Sequence, residues 1–549
     1  MKIGIYLAYR PFRKGFSLKQ EGLGRYVASL VKNLCESGNQ VTIACPKWFV
    51  DVLTDLFEDY KVDINSLELV TPKREPLILR LFYKKGQKKR NHAWKWRIEK
   101  YSFRAFEVVI DIFLSIKNWL FLFGGLLVFI LVFSILLPFL LLFFLLYSIY
   151  KLTNKMFSLF GENSVSKFVS HFVPQKFVNF IKNTVMTLLN GDYLAERVRQ
   201  IAARELKYYI EHMKNPADIW YSPTAFWPEF NELNVLTVTC IPDLVSEEFA
   251  LNFSRSKDIE YSIKRISDSI ENGQYFITYC DYVKESLLVN KFGIHPQRIK
   301  SILMFVNDMV PEINVKDSFK FHPNANHIFA RELLTRLSIY NVNALNPLYF
   351  CSDVFFAFDD IKYIFYSSQV RHSKNILNLV KAYNYLLREE KTTCKLFLTG
   401  NYEHLPELKE YIHKHNLQND VLCFWNVPNQ ILAALYTCAE LSVNPTLYEG
   451  GFPFTFSEGM SVGTPSVMSR IPQVEEFVFG WNLEDCLFDP YNFTDIADKI
   501  LYGLNNRDLL IQKQYPLFKQ HYDRTKSGQA GKEYVEAFEY FINLDKATK

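Results

Sequence analysis

No two cysteines in this chain stand at C-x-x-C spacing, no aspartates stand as D-x-D, and no Cys/His cluster occurs, which excludes the usual zinc frameworks and acidic metal motifs. The nine cysteines (35, 45, 240, 280, 351, 394, 423, 438 and 486) are odd in number, scattered and mostly set in apolar runs. They read as buried thiols in a reducing compartment. His413 and His415, two residues apart on a helix-like stretch, point away from each other and offer no metal pair. The opening run MKIGIYLAY is too short, and lacks the cleavage-like site, for a signal peptide. Broad basicity is missing as well. The formal charge is +5, but twelve Lys or Arg against two Glu lie between Lys73 and Arg104, a local +10 that leaves the remainder near −5. Nucleic acid is therefore not expected as a partner.

What is present is core-forming material: 549 residues, 49% hydrophobic and 16% aromatic. A single core rarely grows beyond roughly 250–300 residues, so two or three domains are expected. Residues 1–72 run as strand (MKIGIYLA), glycine-bearing loop, helix (YVASLVKNLCESG), strand (QVTIACP) and strand (LELVTP). That β-α-β order implies a parallel sheet. The loop EGLGRY offers Gly22 and Gly24 as places where backbone could approach a phosphate or an acceptor, although turn geometry alone also accounts for such glycines.

At Lys73 the rhythm stops. The basic, Trp-bearing run KKGQKKRNHAWKWRIEK is followed by 32 residues without a charge, Trp119 to Tyr150, and then by amphipathic pieces such as SKFVSHFVPQKFVNFIKNTVMTLL. A charge-free run of this length reads as membrane-associated. A single helix would span roughly 48 Å, more than a hydrocarbon core of roughly 30 Å, while two crossings need about 40 residues. If the later strands complete the first sheet, the insert must also leave and return on one side. A re-entrant or shallow hairpin around residues 119–150 is expected, with the basic run on an anionic cytoplasmic surface. From Asp218 the strand-helix rhythm resumes (DIWYSP, NVLTVTCIPDLV, YFITYCDYV, IKSILMFVN), and from Lys362 a second series begins (KYIFYSSQ, CKLFLTG, VLCFWNV, ELSVNP, TPSVMS, CLFDP). The expected division is 1–72 and 216–315 as an N-terminal Rossmann-like acceptor-side domain, 73–215 as the membrane-associated helical insertion, and 316–360 as a linker. Residues 361–510 then form a C-terminal nucleotide-sugar domain and 511–549 a helical tail.

Chemistry concentrates at the ends of strands, where doubly wound sheets bind ligands. Arg371 and Lys374 lie three apart at a strand-to-helix turn and can reach one diphosphate. TLYEGGFPFTFSEGMSVGTPSVMS joins an apolar strand to a helix through glycines, with Glu449 and Glu458 on either side. An ordinary turn and surface helix with exposed acids is the plain alternative.

In EGLGRYVASLVKNL, TVTCIPDLV, FYSSQVRHSKNILNLVKAY and the two-glutamate stretch closed by SVGTP, taken in this order, the chain resembles glycosyltransferase family 4 over residues 1–72 and 216–545. The resemblance implies a GT-B fold, with two facing Rossmann-like doubly wound domains and here an α-helical membrane-associated insertion. It implies a retaining reaction on a nucleotide-sugar donor, with no cofactor and no metal. It places Arg371 and Lys374 on the donor diphosphate, Glu449 beside the transferred sugar and Glu458 on the ribose. The backbone of Gly450, Gly451 and Phe452 would face sugar and phosphate, Asp243 would be kept from a His-Asp pair, and Gly22 and Gly24 would form the N-terminal loop. Two departures stand out: eight residues rather than seven separate the glutamates, and Pro242 replaces the histidine. The acceptor is expected to be a glycan or lipid-linked molecule at an anionic membrane surface. The alternatives are a GT-B membrane scaffold or glycan-binding subunit impaired in catalysis and, ranked below it, a nucleotide-sugar epimerase.

Overall fold

The computed structural model describes residues 1–11, 18, 22–72, 121, 123–125, 127, 191–249, 257–315, 324–340, 361–402, 405–424 and 427–548. The expected membrane hairpin around residues 119–150 lies almost wholly outside them. No helix among the described residues is long and apolar enough to cross a membrane.

Two all-parallel sheets organise the chain. The first holds β1 (Lys2–Tyr6), β2 (Gln40–Ala44), β3 (Glu68–Val70), β4 (Ile219–Ser222), β5 (Thr237–Ile241), β6 (Tyr275–Thr278) and β7 (Ile299–Ser301), in the order β3-β2-β1-β4-β5-β6-β7. The second holds β8 (Tyr363–Tyr366), β9 (Lys395–Thr399), β10 (Val421–Phe424), β11 (Leu441–Asn444), β12 (Ser466–Ser469) and β13 (Leu487–Phe488), in the order β10-β9-β8-β11-β12-β13. Each sheet starts at an inner strand, winds to one edge and returns to the other side of that strand. These are the two doubly wound, Rossmann-like domains that the sequence led us to expect.

Parallel strands covered by helices on both faces need apolar side chains on both, and runs such as TVTCI, YFIT and YIFY are buried at every position. β1 and β4 approach through Gly4, where a Cβ would come within 2.3 Å of the Trp220 ring. Residues 2–70 and 219–301 thus share one sheet despite the long sequence between them.

Seven helices matter for the site: α1 (Gly22–Glu36), α2 (Gly191–Glu211), α3 (Ile376–Arg388), α4 (Phe454–Ser461), α5 (Pro472–Val478), α6 (Arg507–Lys526) and α7 (Gln529–Thr548). α2 is anchored to the first domain by Arg199, which is 2% exposed and grips Glu229 (2.6 Å) and Glu196 (2.7 Å). α7 returns to the same domain. Its Gly531 lies against Asn33 of α1, and its Tyr534 hydroxyl accepts from that of Tyr26 at 2.8 Å.

At the crossing between domains the Arg524 guanidinium of α6 donates to the carbonyls of Leu303 (3.0 Å) and Met304 (3.3 Å) and to the Glu533 carboxylate of α7 (3.0 Å). One side chain therefore holds both chain segments that pass from one domain to the other.

Candidate active site

The cleft between the sheets is built from loops at the carboxyl ends of strands. After β8 the chain makes a single turn over His372–Lys374 and then places Asn375 in the left-handed region (φ 54°) as α3 begins. Asparagine tolerates that conformation better than most residues, and here its Nδ2 donates to the Pro490 carbonyl at 2.7 Å. The Ser373 carbonyl accepts from the Leu447 amide (2.8 Å) and from Thr446 Oγ1 (3.2 Å). Those bonds latch the Lys374 turn to the glycine loop, and the Lys374 ammonium meets Glu449 Oε1 at 2.8 Å. Both side chains are only partly exposed. Burial alone would lower the lysine's pKa, but Glu449, Tyr366 and Asp243 outweigh it and hold the ammonium above its ordinary value.

Asp243 enters from the facing domain at the end of β5. Its side chain is exposed in the cleft, and a Cβ on Gly450 of the second domain would stand 3.4 Å from its own Cβ. Desolvation raises its carboxyl above the usual range, Glu449 adds to the rise, and Lys374, a bond from the Val245 amide and Arg371 oppose it. Lys374, Glu449, Asp243 and Arg371 thus share one electrostatic neighbourhood. Arg371 is exposed and donates to Gln369.

The eight residues between the glutamates run as irregular loop through Pro453, and α4 starts at Phe454. Gly450 and Gly451 press against the other domain. A Cβ on Gly450 would stand 2.0 Å from the Pro242 carbonyl oxygen, and one on Gly451 would stand 2.8 Å from Tyr279 Cβ. The Phe452 ring turns into the core beside Phe456, Phe477 and His521. The same seam is closed by the Leu244 amide donating to the Tyr448 hydroxyl (3.1 Å) and by Glu476 of α5 accepting from the Asp281 and Tyr282 amides (2.8 and 3.0 Å).

Glu458, on α4, is 3% exposed. Its Oε1 accepts from Arg25 Nη1 and from Asn307 Nδ2, each at 2.7 Å, both residues coming from the first domain's side. Gly22 opens α1, and a Cβ on it would stand 4.0 Å from the Phe454 ring, so the N-termini of α1 and α4 adjoin; Gly24 makes room for the Leu18 carbonyl, which a Cβ would meet at 2.2 Å. Sequence reasoning missed Arg25, Asn307, Glu476 and the Tyr448 hydroxyl. The one available signal was that Arg25 directly follows Gly24 in EGLGRY. Among the described residues, no group of three or more His, Cys, Asp or Glu side chains is placed to hold a metal ion.

With this geometry established, comparisons add a class. Residues 353–515, which span most of the second domain, match the family model for glycosyl transferases group 1. The curated relatives it resembles include the O-antigen chain mannosyltransferase B of Escherichia coli, 30% identical over 146 residues, 26% of this chain and 37% of that protein. An uncharacterized glycosyltransferase of Methanocaldococcus jannaschii is 28% identical over 189 residues, 34% of this chain and 47% of its own length. The matches span less than half the length of either relative. Among solved structures, Anabaena Alr3699/HepE in complex with UDP-glucose superposes with a TM-score of 0.52 at 11% identity, covering 98% of this chain and 99% of that one. Sucrose-phosphate synthase from Thermosynechococcus elongatus gives 0.51 at 13%, with the same coverages. The fold is GT-B, and the second domain carries the group 1 glycosyltransferase sequence pattern.

Proposed function

We propose that the protein is a retaining glycosyltransferase of family 4 type, moving a hexose from a nucleotide-sugar donor to a glycan or lipid-linked acceptor at the cytoplasmic face of a membrane. The observation that carries this reading is the convergence of Lys374 and Glu449 from one domain with Asp243 from the other, at the strand ends of a GT-B cleft. Cleavage of the anomeric C–O bond builds positive charge on the sugar and negative charge on the departing diphosphate. Lys374, Arg371 and the adjoining N-termini of α1 and α4 suit the diphosphate, while the carboxylate of Glu449 suits the sugar. The new C–O bond forms on the same face, and the acceptor's hydroxyl proton passes to the departing phosphate oxygen. With those cationic groups and no D-x-D motif in the sequence, we expect the reaction to need no metal.

The fold also bears on the acceptor. β3 ends at Val70, at the cleft edge of its sheet, and α2 re-enters with Arg199 near Tyr6, the last residue of β1. The described chain therefore leaves the first domain at the carboxyl end of β3 and resumes in α2, whose Arg199 lies beside the carboxyl end of β1. The sequence between them combines the +10 run with the charge-free run, so a membrane surface beside the acceptor half of the cleft is the arrangement we favour.

The test is a screen of UDP-, GDP- and other nucleotide sugars for hydrolysis, transfer and thermal stabilisation, with sedimentation on anionic against neutral vesicles. Binding of one donor class, turnover that Lys374→Ala abolishes, and selective sedimentation with anionic vesicles are expected. Failure of every donor to bind would favour a non-catalytic scaffold.

A further inference from the structure

The Arg25–Glu458 pair has no part in the chemistry above, yet it is the most buried ion pair across the domain boundary among those described: 14% exposed at Arg25 and 4% at Glu458. We infer that Arg25, with Asn307, is a positioning residue for the donor. It holds the Glu458 carboxylate in its ribose-binding pose and makes that pose conditional on the two domains being together. The inference rests on the donor reading just given, and it names what determines the donor's affinity at that site.

An ionised carboxylate offers about four acceptor positions. Arg25 Nη1 and Asn307 Nδ2 both use Oε1, at 2.7 Å each, while Arg25 Nη2 turns away to Asn429 Oδ1 at 3.3 Å. The guanidinium thus contacts Glu458 through one nitrogen rather than as a two-pronged fork, which leaves acceptor capacity on the same carboxylate for a vicinal diol. The buried Tyr436 ring carries its hydroxyl next to this group as well.

The anchoring of the two donors differs from that of an adventitious surface contact. Arg25 sits in the first turn of α1, and the next residue, Tyr26, is fully enclosed and hydrogen-bonded to Tyr221 and Tyr534. Asn307 lies in the segment that crosses between domains. Its neighbours are fixed there by the Val306 amide donating to Thr525 Oγ1 (3.1 Å) and the Met309 amide donating to Ser461 Oγ (3.0 Å). Ser461 Oγ in turn donates to the Glu458 carbonyl at 2.7 Å. The carboxylate is therefore held by one residue fixed to the first domain and one fixed to the crossing, so a shift of the domains moves its oxygens.

The sign of one measurement decides the matter. If the tie persists while donor is bound, its loss weakens donor binding. If donor had to displace Arg25, loss of the arginine would tighten binding. We expect Arg25→Met to raise the donor KM about tenfold or more with a much smaller change in kcat. Arg25→Lys should recover part of the loss, and Asn307→Ala should raise KM less than Arg25→Met. Thermal unfolding of each variant guards against a misfolded preparation. An unchanged or lowered KM in Arg25→Met at unchanged thermal midpoint overturns the inference.

The tie has a donor-independent readout in the full-length protein. Hydrogen exchange over 454–461 and 303–309 should accelerate in Arg25→Met without any nucleotide sugar present, and unchanged exchange there would refute it. If the wild type binds no nucleotide sugar while exchange accelerates as expected, the donor reading falls and the tie stands.

Discussion

The two glutamates of one short stretch sit in opposite environments. Glu449 pairs at 2.8 Å with Lys374 of its own domain, and both groups remain partly open to the cleft. Glu458 pairs at 2.7 Å with Arg25 from 433 residues away, across the domain boundary, and is nearly sealed from solvent. A half-open pair within one rigid domain can exchange its partner for an incoming ligand at little cost. A buried pair between domains holds an arrangement, because separating it leaves charge out of water. Nine positions apart, one carboxylate stays open to exchange in the cleft and the other ties the two domains together.

The largest expected effect tests the first half of that contrast. Removing Lys374 (Lys374→Ala) takes away the ammonium that the proposed function sets against the diphosphate and should lower kcat by about 10²–10³-fold, the usual loss for a preorganised group facing developing charge. Glu449→Ala should lower kcat comparably with little change in thermal midpoint, since the pair it breaks is partly solvated. Turnover that survives in both variants would dissolve the contrast.

The second half predicts the reverse balance. Glu458→Ala strips a buried guanidinium of its carboxylate and should destabilise by about 2–5 kcal/mol, read from urea unfolding against the wild type. Glu449→Ala should cost about 1 kcal/mol or less in the same measurement. Equal costs would mean that the burial difference carries no energetic weight.

Much of this was legible beforehand because it is periodic or locally signalled. Strands buried on both faces leave continuous apolar runs, so KIGIY, TVTCI, YIFY and VLCF announced parallel sheets. Glycines in loops at strand ends marked where backbone comes close, although Gly450 and Gly451 turn out to meet the Pro242 carbonyl and Tyr279 of the facing domain. Arg25 and Asn307 were not legible as partners of Glu458. A single polar contact between residues 433 or 151 positions apart leaves no period or motif, and its existence depends on how two domains meet. Glu476 escaped for the same reason: its role is to accept two amides of the other domain.

A smaller effect probes the loop that joins the two glutamates. His521 of α6 backs that loop, its ring 5.1 Å from Phe452 and its Nδ1 buried without a partner. Burial, with Arg524 nearby, lowers its pKa to about 4. Protonation is thus disfavoured in the folded state. The stability this group protects is fully present above the unfolded pKa of about 6.5 and is lost as pH falls through about 4. Between pH 7 and 4 the loss should be on the order of 2–3 kcal/mol, and His521→Phe should remove that part of the acid sensitivity. If the variant's pH–stability curve overlays the wild type, the histidine does not back the loop in the way its burial indicates.

The smallest effect concerns Asp243, which faces Glu449 from the other side of the cleft. Its carboxyl is held above the ordinary range, chiefly by desolvation, with Glu449 adding and Lys374 opposing. A carboxyl raised on folding binds its proton more tightly in the native state, so stability declines as pH rises from the unfolded value through the folded one. Asp243→Asn removes that penalty, and at pH 7 its thermal midpoint should rise, by about 1–2 °C. The same change should lower turnover if the carboxylate takes part in transfer. A rise in midpoint with loss of activity would mark Asp243 as a group kept charged for function at a cost in stability. A fall in midpoint would instead align it with Glu458, as a group that holds the domains together.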